Sequence, residues 1–391
     1  MGKHIIIALL GLYFFCYTIP QHIPSLFYVY DRVTVQTLFL SAINLTSFIL
    51  IIRKDSLNSL IRKLKTNYHY FSYLGVILIT ILSLSISENV IESLMTLTKT
   101  LIFFMSFSCI IYLAKQPNIN FIHILIWFTF IAVFMESLFI NYLYYDSVII
   151  NGQLLERGNE FNGLGANINI SSFSLAMKIP VILYAFFNYK NRLVKAISFI
   201  LISSSVLTIL LLQSRGALLA IGLVLFCLLI MSLSQKNRKY IKHFVGVLVM
   251  LLCSFGVYQQ FNEKNTSDMI IERFSTISDP GSDGSVKERL NFYSTALESI
   301  SQKPFLGIGI GNWKITSIKY SRDIISEYRV PYFVHNDFLQ VTAEIGIIGG
   351  ILYMFFILYP LFISLFKTLK NKIFDHYFLI FLIISVYSID S

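Results

Sequence analysis

The chain has 391 residues, of which 55% are hydrophobic and 13% are charged, and its mean hydropathy is +0.69. Average proteins carry about 25% charged residues, so this chain has too few charges to cover a water-soluble globule of its size. Its net charge of +10 does not predict nucleic-acid binding, because most Lys and Arg residues lie in short loops between long apolar runs. The composition therefore indicates a polytopic membrane protein.

Eleven apolar runs of roughly membrane-spanning length follow one another along the chain. They cover approximately 4–19, 33–52, 71–87, 97–114, 121–143, 170–187, 194–212, 217–233, 244–258, 344–366 and 373–388. The first run has no small-residue cleavage site after it, so we expect a retained helix rather than a signal peptide. The sequence predicts an all-α fold with about eleven transmembrane helices.

The basic residues predict the orientation of these helices. With the N-terminus in the cytoplasm, the cytoplasmic loops hold more than half of the 31 Lys and Arg residues and only two acids, Asp55 and Asp375. Cytoplasmic loops of membrane proteins are enriched in Lys and Arg. The segment 259–343 then faces outward, between transmembrane helices 1–9 in residues 1–258 and helices 10 and 11 in residues 344–391.

This outer loop of about 85 residues is long enough to carry function or to form a small domain. Ser285 followed by Glu288 fits a capping box at a helix start. Apolar residues then recur at helical spacing until Pro304, at Leu290, Tyr293, Leu297 and Ile300. We expect an amphipathic helix that rests on the membrane face.

Two arginines in outer segments are candidates for anion binding. Arg215 lies in Gln213-Ser214-Arg215-Gly216, which is either a tight interhelical turn with Arg215 at the lipid head groups or an anion clamp. Arg289 lies near the first turn of the loop helix, where the helix dipole favours an anion. The alternative for Arg289 is a solvated residue that pairs with Glu288.

Polar residues at the end of the outer loop form a third candidate, Val334-His335-Asn336-Asp337. A lone His is more often structural than catalytic. At a membrane boundary, however, an imidazole that titrates near neutrality can take a proton from a sugar hydroxyl without a metal. No metal site or other cofactor is expected.

The segment around Arg157, ahead of the sixth helix, is a fourth candidate, and Lys178 lies inside that helix. A Lys within the membrane is a candidate functional residue by default. Glu136 in the fifth helix is its expected partner, and a structural pair would explain both residues equally well.

Two glycine patterns have simple interpretations. Gly307-Ile308-Gly309-Ile310-Gly311 lacks the spacing and the βαβ setting of a nucleotide loop, so we interpret it as a flexible turn after Pro304. Gly346 and Gly350 form a GxxxG, which would let a neighbouring helix approach below His335.

An ordered set of these motifs resembles the O-antigen ligase and O-antigen polymerase superfamily. The set runs from Gln213-Ser214-Arg215-Gly216-Ala217 through Arg289 and Lys303-Pro304-Phe305-Leu306-Gly307 to His335-Asn336 and Glu344-Ile345-Gly346. The resemblance covers about residues 157–389. It implies a glycosyltransferase of the bacterial inner membrane with its active site facing the periplasm.

The resemblance also implies partners and roles. The donor would be a glycan on undecaprenyl diphosphate, and the acceptor would be lipid A core in lipopolysaccharide synthesis, another glycan or a protein. Arg215 and Arg289 would hold the diphosphate. Arg157 would be a third diphosphate-binding residue, although its correspondence to a family arginine is less clear. His335 would activate the acceptor hydroxyl, and Asn336 would help to position His335.

The sequence leaves alternatives open. Ligase, repeat-unit polymerase and protein O-oligosaccharyltransferase share the same donor site. A transporter of lipid-linked oligosaccharide is a different class, but few charges lie inside the apolar runs. Family members commonly continue past the position of Ser391 with a further membrane segment or a soluble domain, so a twelfth helix is expected in the full-length protein.

Overall fold

The computed structural model describes residues 2–18, 32–54, 57–65, 68–150, 167–234, 238–261, 284–320 and 332–390. Regular structure in these ranges is helical throughout. The α-helices are α1 (Lys3–Thr18), α2 (Arg32–Lys54), α3 (Leu57–Lys65), α4 (Tyr68–Ser83), α5 (Val90–Ala114), α6 (Phe121–Tyr144), α7 (Ile168–Asn188), α8 (Arg192–Leu212), α9 (Arg215–Leu233), α10 (Arg238–Phe261), α11 (Gly284–Gln302), α12 (Trp313–Tyr320), α13 (Asp337–Asn371) and α14 (His376–Asp390). Arg157 and the side chain of Ser285 lie outside the described residues.

The predicted all-helical membrane architecture is confirmed. Nine helices of the described chain are long and apolar enough to cross a membrane. The first and last predicted runs correspond to two shorter apolar helices, Lys3–Tyr17 and His376–Ile389. The amphipathic helix α3, in the basic segment after α2, was not predicted.

Contacts between helix ends define the two ends of the bundle. Asn188, at the end of α7, donates a 2.9 Å hydrogen bond to the Phe374 carbonyl ahead of α14. At the start of α7, Asn169 accepts a 3.3 Å hydrogen bond from Ser214 in the turn before α9. The helices α9 and α13 therefore begin at the same end, where α14 finishes, and we call this the site end.

The largest core cluster surrounds α7, whose neighbours are α6, α8, α9 and α14. Small residues let these helices approach closely. A β-carbon at Gly216 would lie 2.8 Å from the Phe173 ring, so glycine at this position allows the start of α9 to lie directly on α7. The turn that carries Arg215 is thus fixed against the most buried helix.

The intramembrane pair that the sequence predicts is confirmed. Lys178 Nζ lies 2.5 Å from Glu136 Oε1, and both side chains are almost fully buried. Ser174 donates to the second carboxylate oxygen of Glu136 at 3.1 Å and accepts from Lys178 at 2.6 Å. Each charge has a partner, which an ionised group needs in the membrane interior.

Helix α13 is broken near its start. Gly346 has φ 78° and ψ 174°, which is not a helical conformation. The rings of Phe338 and Tyr353 lie 5.9 Å apart, although a straight helix would separate these residues by about 22 Å along its axis. Residues 337–345 therefore fold back on the part of α13 that follows Gly346.

The break at Gly346 corrects the expected GxxxG contact. A β-carbon on Gly346 would lie 2.1 Å from the carbonyl oxygen of Phe305, and a β-carbon on Gly350 would meet Thr342. What approaches Gly346 is the loop after α11, and what approaches Gly350 is Thr342 in the folded-back start of α13. Gly346 is needed both for its positive φ and for its close backbone contact.

Candidate functional site

The turn between α8 and α9 positions Arg215. Gln213 ends α8 in the left-handed conformation, with φ 50°, and its N–H donates to the Leu210 carbonyl at 3.1 Å. Ser214 is bound to Asn169 of α7. Arg215 is the first residue of α9 and is half-buried. The predicted tight turn is confirmed, and Arg215 stands at the helix start at the site end.

Helix α11 is the predicted loop helix, and its apolar residues divide between two surfaces. Leu290 and Leu297 are exposed, whereas Ala296 is fully buried with Trp313 in a small core that Tyr293 and Ile300 join. Tyr293 and Ile300 therefore face the small core, Leu290 and Leu297 remain exposed, and the expected contact of α11 with the membrane face stays a prediction. The face that packs against α13 is built from smaller and aromatic residues.

Arg289 lies on the exposed side of α11, in the second turn rather than the first, because the helix begins at Gly284. Its charge is close enough to His335 to affect the imidazole. Burial is the first cause that lowers the pKa of His335 below its ordinary value, and the positive charge of Arg289 is the second. Glu288 acts in the opposite direction.

His335 is partly exposed and has a backbone conformation that few residues other than glycine adopt. Its φ is +60°, in the left-handed region, which costs a residue other than glycine about 1–3 kcal/mol. Two contacts with α11 hold it there: the Tyr293 hydroxyl donates to the His335 carbonyl at 3.2 Å, and the imidazole stacks on Phe292 with ring centres 6.2 Å apart. Strained residues of this kind cluster at functional sites.

The two residues after His335 begin α13. Asn336 Oδ1 accepts a 2.9 Å hydrogen bond from the Leu339 N–H, so Asn336 is the N-cap of the helix. Asp337 accepts a 2.7 Å hydrogen bond from the hydroxyl of Tyr387 in α14. Asn336 thus fixes the place where the chain leaves His335 and enters the helix.

Residues 304–312, here called the glycine loop, pack under this helix start. The Ile308 N–H donates to the Ala343 carbonyl at 2.9 Å, and the Gly309 N–H donates to the Glu344 carbonyl at 3.0 Å. Ile308 and Ile310 are buried. The predicted turn after Pro304 is present, and backbone hydrogen bonds and burial hold it against α13.

Glu344 was missed as a site residue by sequence reasoning. Its buried carboxylate accepts a 2.9 Å hydrogen bond from the Gly311 N–H and further bonds from the Trp313 backbone and the Gln340 side chain. Gln340 also accepts from the N–H of Val334, next to His335. Glu344 appeared in the sequence only as part of the motif Glu344-Ile345-Gly346, without a role of its own, and its backbone partners Gly311 and Trp313 come from a distant segment.

The glycine loop also joins the site to the first half of the chain. Asn312 accepts a 2.9 Å hydrogen bond from the Asn89 N–H and donates to Ser87 and Ser93 at 2.7 and 2.8 Å. Two ion pairs of α12 support this contact, between Lys314 and Glu92 and between Lys319 and Glu88. The pKa of Glu88 is lowered, chiefly because Lys319 donates a hydrogen bond to its carboxylate.

The structure thus brings Arg289, His335 and Asn336 together at one end of the bundle. Arg215 lies at the same end at the start of α9, and α14 packs against both α9 and α13. An imidazole with a lowered pKa is neutral at neutral pH and can accept a proton. Fixed guanidinium groups can bind phosphate oxygens.

Comparison with known proteins finds one family match that spans most of these residues. Residues 197–354 match the family model described as O-antigen ligase. The match contains Arg215, Arg289, His335 and Asn336 and does not reach Arg157. No curated protein matches the chain. This match supports the placement of the membrane protein in the O-antigen ligase and O-antigen polymerase superfamily.

Proposed function

We propose that this protein is a glycosyltransferase that moves a glycan from undecaprenyl diphosphate to an acceptor hydroxyl at the periplasmic face of the bacterial inner membrane. The observation that carries the proposal is the position of His335, beside Arg289 and inside the segment that matches the O-antigen ligase family. Basic residues in the short connections between membrane helices, such as Arg53, Lys115 and Lys372, lie at the end opposite the site, which supports a periplasmic site end.

Arg215 and Arg289 hold the donor diphosphate in this proposal, and Arg157 is a further candidate. Diphosphate leaves readily once its developing negative charge is neutralised by fixed donors. A guanidinium has the fork geometry that matches two phosphate oxygens at once. Two such residues at the membrane boundary supply this neutralisation, so the reaction needs no metal ion.

His335 acts as the general base. Its imidazole takes the proton from the acceptor hydroxyl while the hydroxyl oxygen attacks the anomeric carbon. The bond from that carbon to the diphosphate breaks, and undecaprenyl diphosphate leaves from the opposite side with inversion. Asn336 positions His335 through its cap on α13.

The function is tested first by deletion of the gene in the source bacterium. A ligase deletion leaves the acceptor bare and the glycan on its lipid carrier, and a polymerase deletion leaves glycan of a single repeat. A deletion that leaves cell-surface glycans unchanged contradicts the proposal. Accumulation of the lipid-linked glycan on the cytoplasmic face would favour the transporter alternative instead.

The site residues are tested with variants that complement this deletion strain. His335→Ala should lower transfer by about 10²–10⁴, the usual contribution of a positioned base, while the purified protein still binds undecaprenyl diphosphate. His376→Ala is a matched control, since His376 is exposed near the N-terminus of α14 at the opposite end. If transfer persists in His335→Ala, or if binding is lost together with transfer, His335 is not the base.

Arg215→Lys should lose most transfer although it keeps the charge, because an ammonium cannot reproduce the bidentate contact. Arg192→Lys is the matched control: Arg192 is the first residue of α8, exposed at the opposite end. Near wild-type transfer in Arg215→Lys would leave Arg215 with a role at the lipid head groups only.

A further inference from the structure

A chain of three hydrogen-bonding groups connects α13 to α14 at the site end. The Tyr387 hydroxyl donates to Asp337 at 2.7 Å, and the hydroxyls of Tyr353 and Tyr387 lie 2.8 Å apart. Each phenol has only one hydrogen to donate. Because Tyr387 gives its hydrogen to Asp337, Tyr353 donates to Tyr387, and the oxygen of Tyr353 remains able to accept another hydrogen bond.

The carboxylate at the end of this chain is open to a ligand. Asp337 is exposed, and within the described ranges no Lys or Arg lies at salt-bridge distance from it. An ionised carboxylate accepts about four hydrogen bonds, and bonds to it are stronger than those between neutral groups. Tyr387 occupies one of these positions. Among the described residues no other side chain is seen to bind this carboxylate, so the remaining positions can accept donors of a ligand.

The surroundings suit a molecule that carries many hydroxyls. The rings of Phe338 and Tyr353 lie 5.9 Å apart beside the chain of hydroxyls. Binding sites commonly combine apolar and aromatic surface with a few placed polar groups that fix the orientation of the ligand. The break at Gly346 is what brings Phe338, Asp337 and Tyr353 of one helix to the same place.

Charge decides which substrate belongs here. Asp337 follows His335 by two residues, but the two side chains contact different helices: His335 stacks on Phe292 of α11, and Asp337 binds Tyr387 of α14. A carboxylate repels diphosphate, whereas it attracts the hydrogen of a neutral hydroxyl. The α14 side of His335 therefore suits a neutral hydroxyl group of the acceptor rather than the diphosphate of the donor.

We infer that Asp337, together with Tyr387 and Tyr353, binds a hydroxyl group of the glycan acceptor and holds the acceptor next to His335. This inference rests on the proposed function, since it needs a reaction between a lipid diphosphate donor and a hydroxyl. Asp337 and the two tyrosines bind and orient the acceptor, while the proton of the attacking hydroxyl goes to His335.

A purely structural role makes a different prediction. Asp337 also stands at the start of α13, where an acid stabilises the helix dipole, and its bond to Tyr387 ties two helices together. Asp337→Asn separates the roles, because the carboxamide oxygen still accepts from Tyr387 whereas the negative charge is gone. Asp375→Asn is the matched control: Asp375 accepts the N–H groups of Tyr377 and Phe378 at the opposite end of α14.

The experiment uses the full chain, with product measured in the complemented deletion strain and the purified protein used for undecaprenyl diphosphate binding and thermal unfolding. We expect at least a tenfold loss of product for Asp337→Asn, with donor binding within twofold of wild type and only a small decrease in the unfolding midpoint, because the helix dipole loses an anionic partner. Tyr387→Phe should lose product as well and should unfold at lower temperature. Asp375→Asn should match wild type in all three measurements.

Two results overturn the inference while the proposed function stands. Wild-type product from Asp337→Asn would show that the contact only ties the helices. Loss of undecaprenyl diphosphate binding in step with product would place Asp337 at the donor. If the wild-type protein neither binds undecaprenyl diphosphate nor restores glycan to the deletion strain, the proposed function fails, and the acceptor site fails with it.

Discussion

Substitution of Gly346 by alanine tests the bend that builds the site. The φ of 78° and ψ of 174° at Gly346 belong to a region that is essentially open to glycine alone, and alanine there costs about 1–3 kcal/mol. The new β-carbon would lie 2.1 Å from the Phe305 carbonyl oxygen. Moving the glycine loop away breaks the 2.8 Å hydrogen bond from the Ile347 N–H to the Pro304 carbonyl, which adds about 0.5–1.5 kcal/mol. We expect a total loss of about 2–4 kcal/mol.

Gly222→Ala provides the matched control, because Gly222 lies within α9 and a β-carbon there meets nothing within 4 Å. Replacing this helical glycine should stabilise the protein by about 0.5–1 kcal/mol. The assay is unfolding of each purified variant by a denaturing detergent in mixed micelles. Gly346→Ala should also lose transfer, since His335 and Asp337 precede the bend. A loss below about 1 kcal/mol, or equal effects of the two substitutions, would refute the reasoning.

The remaining predictions concern charge. Lys178→Met should lower the free energy of unfolding by about 3–5 kcal/mol, because it leaves the Glu136 carboxylate buried without its cation. Adding Glu136→Leu to this variant should restore most of the lost stability. A double variant as unstable as Lys178→Met alone would contradict this. Burial and a neighbouring cation lower the pKa of His335, so the rate of transfer should fall only at pH values below the ordinary pKa of imidazole. Glu288→Gln removes a neighbouring anion and should therefore move this acid limb of the pH profile to still lower pH. An acid limb that does not shift would argue against His335 as the titrating group. The topology can be tested in a variant without native cysteines. A cysteine introduced at position 288 should react with a membrane-impermeant reagent in intact spheroplasts, whereas a cysteine in place of Arg62 should react only after the membrane is breached. The reverse pattern would mean that the topology is inverted.

The sequence alone determined the membrane architecture and the main polar partners. Apolar runs of about membrane-spanning length identify membrane helices because the hydrocarbon core of a bilayer has a set thickness. A helix is favoured there because it pairs its own backbone N–H and C=O groups, which find no water in the hydrocarbon core. The pairing of Lys178 with Glu136 followed from the same physics, since a lone charge is costly in the membrane. The helix α11 and the candidates Arg215, Arg289 and His335 were also identified from local patterns.

Only the tertiary structure decided how the site end is assembled. The spacing of Gly346 and Gly350 predicted a contact between helices, but the partner of Gly346 is the glycine loop. This loop hydrogen-bonds to α13 through Ile308 and Gly309. Glu344 gained its role only when Gly311, a distant residue, came within 2.9 Å of its carboxylate. Hydropathy and spacing describe which residues avoid water or share a face of one helix. They do not specify which backbone groups from remote segments pair with each other, because that depends on the complete packing of the loop against α13 and the start of α5.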